Sequence, residues 1–494
     1  MTSTRRPIPA LAALLALIAA ACSGSAPADP DAADATDLAG QPDTRPDAGA
    51  DASPDASPDA ETPPARDPAA DTVRAELLHA WTGYRTHAWG HDEVRPLSGD
   101  AADWHGNGTL LVTPIDALDT LIVAGLDEQA ADALELIATT FDPAIDAGVK
   151  AFEVNIRVLG GLLSAHQLTG DARLLAHAVA LADRLLPAFD SPTGMPWEFV
   201  NLLTGETSGA FTNPAEAGTW ALELGTLSRL TGDPRYEQRA KAAAEALFAL
   251  RSPLGLIPNG VDVERGEPLG SVTTIGGGVD SWLESLWKAS VLFDDARYRA
   301  MWDASIAPVR QYVGQQIRGE RWYGWTNTAT GALVVPLYGS LDAFFPGLLA
   351  LSGYVDEARE LHESSFRMWQ LAGIEPEALN WEGMEIIVPS YFLRPEIMES
   401  SWHLHRVTGD ARYRAMGKVM LDALIARCRT PLAYAELKSV VTGEQEDRME
   451  SFFLAETLKY LYLLMDDEAA DRLDGWVFNT EAHPLQPVAP LSAR

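Results

Sequence analysis

Carboxylates are the residues of this chain best placed to do chemistry. Glu153, Glu216, Asp280, Asp342, Glu396, Glu450 and Glu456, with Asp116 and Asp119, stand at or near the starts of apolar segments such as Ile156-Arg-Val-Leu-Gly-Gly-Leu-Leu. One acid at a helix start is ordinary, because free amides and the helix dipole favour negative charge there. Many acids around one cavity are less ordinary. Crowded carboxylates raise one another's pKa, which is the condition for a general acid at neutral pH. Arg157 follows Glu153 by one helical turn and can orient it. Pro395 suits a helix start and fixes the direction of Glu396. His91, His403, His405 and His483 show no compact transition-metal spacing. No phosphate-cradling Gly-rich loop or nucleophile elbow is present in the sequence.

The elements that must carry these acids are announced by a recurring phrase. Thr169-Gly-Asp-Ala-Arg, Thr231-Gly-Asp-Pro-Arg, Asp294-Asp-Ala-Arg, Val355-Asp-Glu-Ala-Arg and Thr408-Gly-Asp-Ala-Arg are its clear copies, with weaker ones at Asp127 and Asp467. Gly takes the left-handed conformation that ends one helix, and Asp caps the next. Each copy therefore marks an αα-hairpin, and repeats of this period share a core with their neighbours. An open solenoid and a closed ring both satisfy the repeat. Seven pairs ending in the non-helical tail Trp476-Val-Phe-Asn-Thr-Glu-Ala-His-Pro favour a ring. The helix before each anchor would then be an inner helix, and the acids would surround one mouth.

The totals set the frame. A 494-residue chain with 47% hydrophobic residues can bury a large core, and a formal charge of −33 argues against nucleic acid as a partner. Arg5 and Arg6 precede a short apolar run, residues 11–20, that leads to Ala19-Ala20-Ala21-Cys22. This resembles a lipoprotein signal, so residues 1–22 are expected to be a signal peptide with a lipidated Cys22. Residues 23–71 carry twelve acids against Arg45 and Arg66 amid Ala, Pro and Ser, the composition of an extended tether. The folded domain is expected over 72–494. The protein would be exported and lipid-anchored to a bacterial membrane, on its periplasmic or cell-surface face. The one further cysteine, Cys428, leaves the mature chain without an internal disulfide.

Several stretches resemble glycoside hydrolase family 47, the inverting α-1,2-mannosidases. They are Ala88-Trp-Gly-His-Asp-Glu, Asp116-Ala-Leu-Asp-Thr-Leu, Phe152-Glu-Val-Asn-Ile-Arg, Ala215-Glu-Ala-Gly-Thr, Asp280-Ser-Trp-Leu-Glu, Leu393-Arg-Pro-Glu and Phe478-Asn-Thr-Glu-Ala-His, in family order over about 76 to 486. Ser340-Leu-Asp-Ala-Phe-Phe-Pro-Gly-Leu and Asp447-Arg-Met-Glu-Ser-Phe-Phe look like the ER degradation-enhancing mannosidase-like branch. The resemblance implies an all-α (α/α)7 barrel, a toroid of seven helical hairpins with a short non-helical C-terminal plug.

The resemblance also implies roles. Glu153 matches the proton donor, acting through a water, and Asp280 a second acid that shares or supplies that role. Glu396 matches the base and Glu377 another catalytic acid. Arg157, Glu216, Arg394, Glu399, Phe452 and Glu456 match residues lining the sugar site. Thr480 is the expected Ca²⁺ contact through its oxygens, chemistry that suits a hard cation. Inversion needs the two carboxyls roughly 6.5–9.5 Å apart, to admit a water. Two departures, Gly278 where some branches carry Arg and Ala332 where a His is found, bear on contacts to the leaving-group sugar. The expected protein is thus a monomeric, Ca²⁺-dependent exo-α-mannosidase acting on mannose-containing oligosaccharides, touching a membrane only through Cys22. Rival readings are a mannose-binding protein of the same fold with little turnover, and another helical-toroid enzyme such as a sugar epimerase.

Overall fold

A computed structural model describes residues 67–488. The expected signal with Cys22, and residues 23–66 of the expected tether, lie outside the described residues. The folded part begins earlier than the composition suggests, because helix α1, Pro68–His87, opens inside the segment read as tether. Asp67 accepts the amide of Ala69, and Pro68 takes the first helical position, where no N–H is needed. The boundary at 72 is corrected to Asp67: an Asp-Pro step starts a helix as readily as it belongs to a disordered composition.

The ring continues in chain order through α2 (Val112–Val123), α3 (Asp127–Thr140), α4 (151–169), α5 (Ala172–Leu185), α6 (214–231) and α7 (Arg235–Phe248). It is completed by α8 (Asp280–Leu292), α9 (Ala296–Pro308), α10 (341–351), α11 (Val355–Ala372), α12 (Glu396–Thr408), α13 (Arg412–Arg427) and α14 (453–465). Even-numbered helices are inner and odd-numbered ones outer. Each inner helix packs on the next around the bore, and α14 returns to α2, closing the (α/α)7 barrel.

The repeated phrase does what its chemistry dictates. Gly170, Gly232 and Gly409 end α4, α6 and α12 with φ between 67 and 76°. Asp171 and Asp295 then cap α5 and α9 by accepting the amides of Arg173 and Arg297, each at 2.8 Å. The seventh pair is built differently from the expected hairpin. After Asp467 there is only a short helix, Asp467–Asp471, and the outer partner of α14 is α1 from the other end of the chain. Six hairpins and one pair joining the two termini make the ring.

Tight turns connect inner to outer helices, whereas long loops lead from each outer helix to the next inner one. Those loops fold into short antiparallel ribbons, such as Phe211–Thr212 with Gly260–Asp262 and Glu267–Leu269. The ribbons therefore gather at the end of the bore where the inner helices begin. The tail enters the bore as a hairpin, Val477–Phe478 paired with Pro484–Leu485, which is the expected plug. Its tip is tied down by hydrogen bonds and ion pairs. Asn479 donates to the Ile156 carbonyl at 3.0 Å and to Glu223 at 2.8 Å. Lys459 reaches Asp119 and the Ala482 carbonyl, both at 2.7 Å. Gly160 makes room for this: a Cβ there would stand 2.6 Å from Asn479 Nδ2 and 2.9 Å from His483 Cδ2.

Candidate active site

The bore between ribbons and plug is a cavity of about 630 Å³, within the range of small-ligand pockets, roughly 300–1,000 Å³. Its wall is a convergence of inner-helix starts. Glu153 and Arg157 come from α4, Glu216 from α6 and Asp280 and Glu284 from α8. Arg394, Glu396 and Glu399 come from the start of α12, Phe452 and Glu456 from that of α14, and Thr480 from the plug.

Helical spacing explains the depth of the site. Asp280, Glu284 and Lys288 descend α8 at four-residue intervals, one face of the helix turned to the bore. The Lys288 ammonium pairs with Glu284, lies 3.6 Å from Glu399 and donates to the Asn479 carbonyl at 3.4 Å. In α4 and α14 the residues after Glu153 and Phe452 form π-turns, Val154–Leu159 and Phe453–Thr457. Such turns re-aim side chains and cluster at functional sites. Arg157 still reaches Glu153, Nε to Oε2 at 3.0 Å, and also grips Glu481 of the plug. The Phe452 ring has the guanidinium of Arg157 at 5.3 Å and that of Arg394 at 5.6 Å, so it is held by two cations.

Electrostatics separate the acids. Burial pushes Asp280 up to about 7, with the charges of Glu284 and Asp342 adding to the effect and the Ser281 amide and Arg394 opposing it. Burial pushes Glu396 up to about 8 against the pull of Arg394, and its Oε2 has no protein partner. Glu456 lies well above the carboxylate range through burial and the proximity of Glu396. Carboxylates in the cavity outnumber its lysine and arginines, which favours the protonated form of the most deeply buried acids. Asp280 heads α8 and Glu396 heads α12, with α10 between them in the ring.

Among the described residues no group of three His, Cys, Asp or Glu side chains is arranged to hold a metal ion. The alternative is a single anchor with water, and Thr480 fits it. It faces the cavity, its hydroxyl lies against the Glu284 carboxylate, and Glu399 and Glu456 share the same wall. These are all hard oxygen donors, the set that suits Ca²⁺.

Residues 76–487 match the family model of Glycosyl hydrolase family 47. The chain belongs to this family. It is 40% identical over 441 residues to alpha-mannosidase I MNS4 of Arabidopsis thaliana, covering 85% of this chain and 70% of that one. It is 37% identical over 454 residues to the human ER degradation-enhancing alpha-mannosidase-like protein 2, covering 85% and 78%. The solved alpha-1,2-mannosidase from Trichoderma reesei superposes with a TM-score of 0.80 at 30% identity, over 85% of this chain and 99% of that one.

Of the residues expected from the sequence, Glu153, Arg157, Glu216, Asp280, Arg394, Glu396, Glu399, Glu450, Phe452, Glu456 and Thr480 line this family-47 cavity. Asp116 and Asp119, expected at its mouth, are instead buried against His483 of the plug, and Asp342 and Glu377 line a side pocket. Glu377 is 1% exposed and stands behind the wall. It accepts from Arg394 Nε at 3.2 Å, Ser340 Oγ at 3.1 Å and the Phe392 amide at 3.1 Å. Its position is that of a residue holding Arg394, and it lines a small side pocket with Asp342 rather than the main bore. Gly278 lines the bore at φ 90°, and a Cβ there would stand 2.4 Å from Asn259 Oδ1. Asn259 therefore fills the place a larger residue would take. Sequence reasoning left Glu284, Lys288, Glu436, Arg448 and Glu481 without roles. The four-residue ladder below Asp280 was a legible signal for the first two. The rest come from loops and the plug, where no periodicity points.

Proposed function

We propose that this protein is an exo-acting α-mannosidase that removes terminal, α-1,2-linked mannose from mannose-containing oligosaccharides with inversion, supported by one Ca²⁺. The observation that carries the reading is the meeting of Asp280, Glu396 and Thr480 in one cavity of a family-47 chain.

Asp280, raised to about 7, retains a proton for the glycosidic oxygen near neutral pH, which a general acid must. Glu153, oriented by Arg157, is placed to take part through a bridging water. Glu396 is the base: ionised, it draws a proton from the attacking water. Its approach from α12, with α10 between it and Asp280, supports attack from the side away from the leaving group, as inversion demands. Phe452, Glu456 and Glu399 bind the sugar ring and its hydroxyls, and Glu377 keeps Arg394 aimed at it. Thr480 would hold Ca²⁺ through its oxygens, and the ion would supply positive charge to sugar hydroxyls and to the crowded carboxylates.

Among the described residues no helix is long and apolar enough to cross a membrane. Export, anchoring through Cys22 and a monomeric state belong to the same proposal. Recovery of Cys22→Ser protein in the soluble fraction and of the unaltered protein with membranes would support the anchor.

The deciding experiment offers the full chain α-1,2-mannobiose and follows the anomer released by NMR. β-Mannose appearing first supports the proposal. α-Mannose first would overturn the mechanism, and binding without release would make the protein a mannoside-binding one.

A further inference from the structure

Next to the charged wall, the mouth has an apolar arc. Phe211 and Leu269 both line the cavity, yet are 63% and 37% exposed. They sit on one ribbon, in which Phe211 lies opposite Asp262 and Leu269 opposite Gly260. The absence of a side chain at Gly260 lets Leu269 lie close: a Cβ there would stand 3.0 Å from Leu269 Cβ. Val272 and Trp325 continue the arc inward along the neighbouring ribbon. These residues precede α6, α8 and α10. Glu436, Arg448 and Glu450, which precede α14, make another part of the same mouth charged.

Large exposed apolar side chains at the rim of a polar pocket mark a contact for a ligand with an apolar face. A pyranose ring has such a face, in its axial C–H bonds, and hydroxyls around its edge. The hydroxyls find partners beside Phe211. Glu216 pairs with Lys150 at 2.7 Å and accepts from the Thr212 hydroxyl at 2.7 Å, and Glu198 lies on the same wall. An aromatic platform flanked by carboxylates and an ammonium provides both halves of sugar recognition. The reacting sugar belongs deeper, between Asp280 and Glu396.

We infer that Phe211, with Leu269, forms a platform for a sugar beyond the first leaving-group unit, a position that only substrates longer than a disaccharide fill, so that the enzyme prefers oligosaccharides over disaccharides. This rests on the mannosidase reading and adds a subsite to it. The test compares α-1,2-mannobiose with a linear α-mannotetraose for the unaltered protein, Phe211→Ala and Phe211→Trp. In Phe211→Ala the KM for mannotetraose should rise about tenfold more than that for mannobiose, with the melting temperature unchanged, and Phe211→Trp should restore the preference. A tenfold effect corresponds to about 1.4 kcal/mol. Equal changes for both substrates, or none, overturn the platform while leaving the mannosidase reading intact. Equal losses with a lowered melting temperature would make Phe211 a support of the fold. Failure of the unaltered protein to cleave either substrate would remove the mannosidase reading and the subsite with it.

Discussion

The Nδ1 of His483 lies 2.7 Å from the carboxylate of Asp119, and both side chains are fully buried. Asp119 also pairs with Lys459 at 2.7 Å, and His483 reaches Asp116 through Nε2 at 3.1 Å. Burial alone would raise Asp119, but the charges of Lys459 and His483 outweigh it and hold the carboxyl at about 2. This relationship fastens the plug, and hence Thr480, to α2 and α14.

A folded pKa below the unfolded value means that Asp119 stabilises the protein above about pH 4, and that this contribution is lost as pH falls through about 2. Asp119→Asn should lower stability by about 3–5 kcal/mol near neutrality, because it takes the carboxylate from the buried Lys459 ammonium and from His483 Nδ1. Its deficit should shrink on acidification. Urea unfolding between pH 3 and 7 measures both, and a deficit independent of pH would contradict the assignment.

Gly160→Ala places a methyl against Asn479 and His483. Overpacking of this kind costs about 1–3 kcal/mol. If the plug is what yields, Ca²⁺ affinity measured by calorimetry should fall along with the melting temperature. A purely local strain would lower only the latter.

The pH profile follows from two opposed requirements. Asp280 must be protonated, so activity falls as pH rises through about 7. Glu396 must be ionised, so activity falls as pH drops through about 8. Crossed limbs give a narrow maximum between 7 and 8, and added Ca²⁺, by favouring the ionised base, should extend the acidic side. Asp280→Asn should flatten the alkaline limb of kcat/KM. Glu396→Gln should lower kcat by about 10²–10⁴-fold with the fold intact by circular dichroism.

Chelation should abolish mannose release, and Ca²⁺ should restore it. At a hundredfold excess over its Kd the ion should stabilise the fold by about 2.7 kcal/mol. Thr480→Val removes the hydroxyl but keeps the carbonyl, so it should weaken Ca²⁺ binding without unfolding the plug. An unchanged affinity would mean the ion binds elsewhere.

Glu377→Gln separates positioning from direct chemistry. If Glu377 serves to aim Arg394, the loss should appear mainly in KM and the pH limbs should stay in place. A lost limb would make it an acid or base in its own right.

How much was legible varies with the physics. The Thr-Gly-Asp phrase specified the turns, because left-handed glycine and an Asp cap are local requirements. Acids at inner-helix starts were visible for the same reason. The start of α1 was masked by a composition that reads as disordered, although Asp67-Pro68 is a local cap. Only the closed ring shows that α1 partners α14, since nothing local relates residues so far apart. Burial likewise belongs to the assembled bore. It separates Asp280 and Glu396 from ordinary carboxylates, puts Glu377 behind Arg394 rather than in the cavity, and exposes Phe211 at the mouth. Which residues can cap, turn and titrate is a property of the chain. Which of them share one desolvated space is decided by the tertiary structure, because solvent exclusion exists only once the helices have closed.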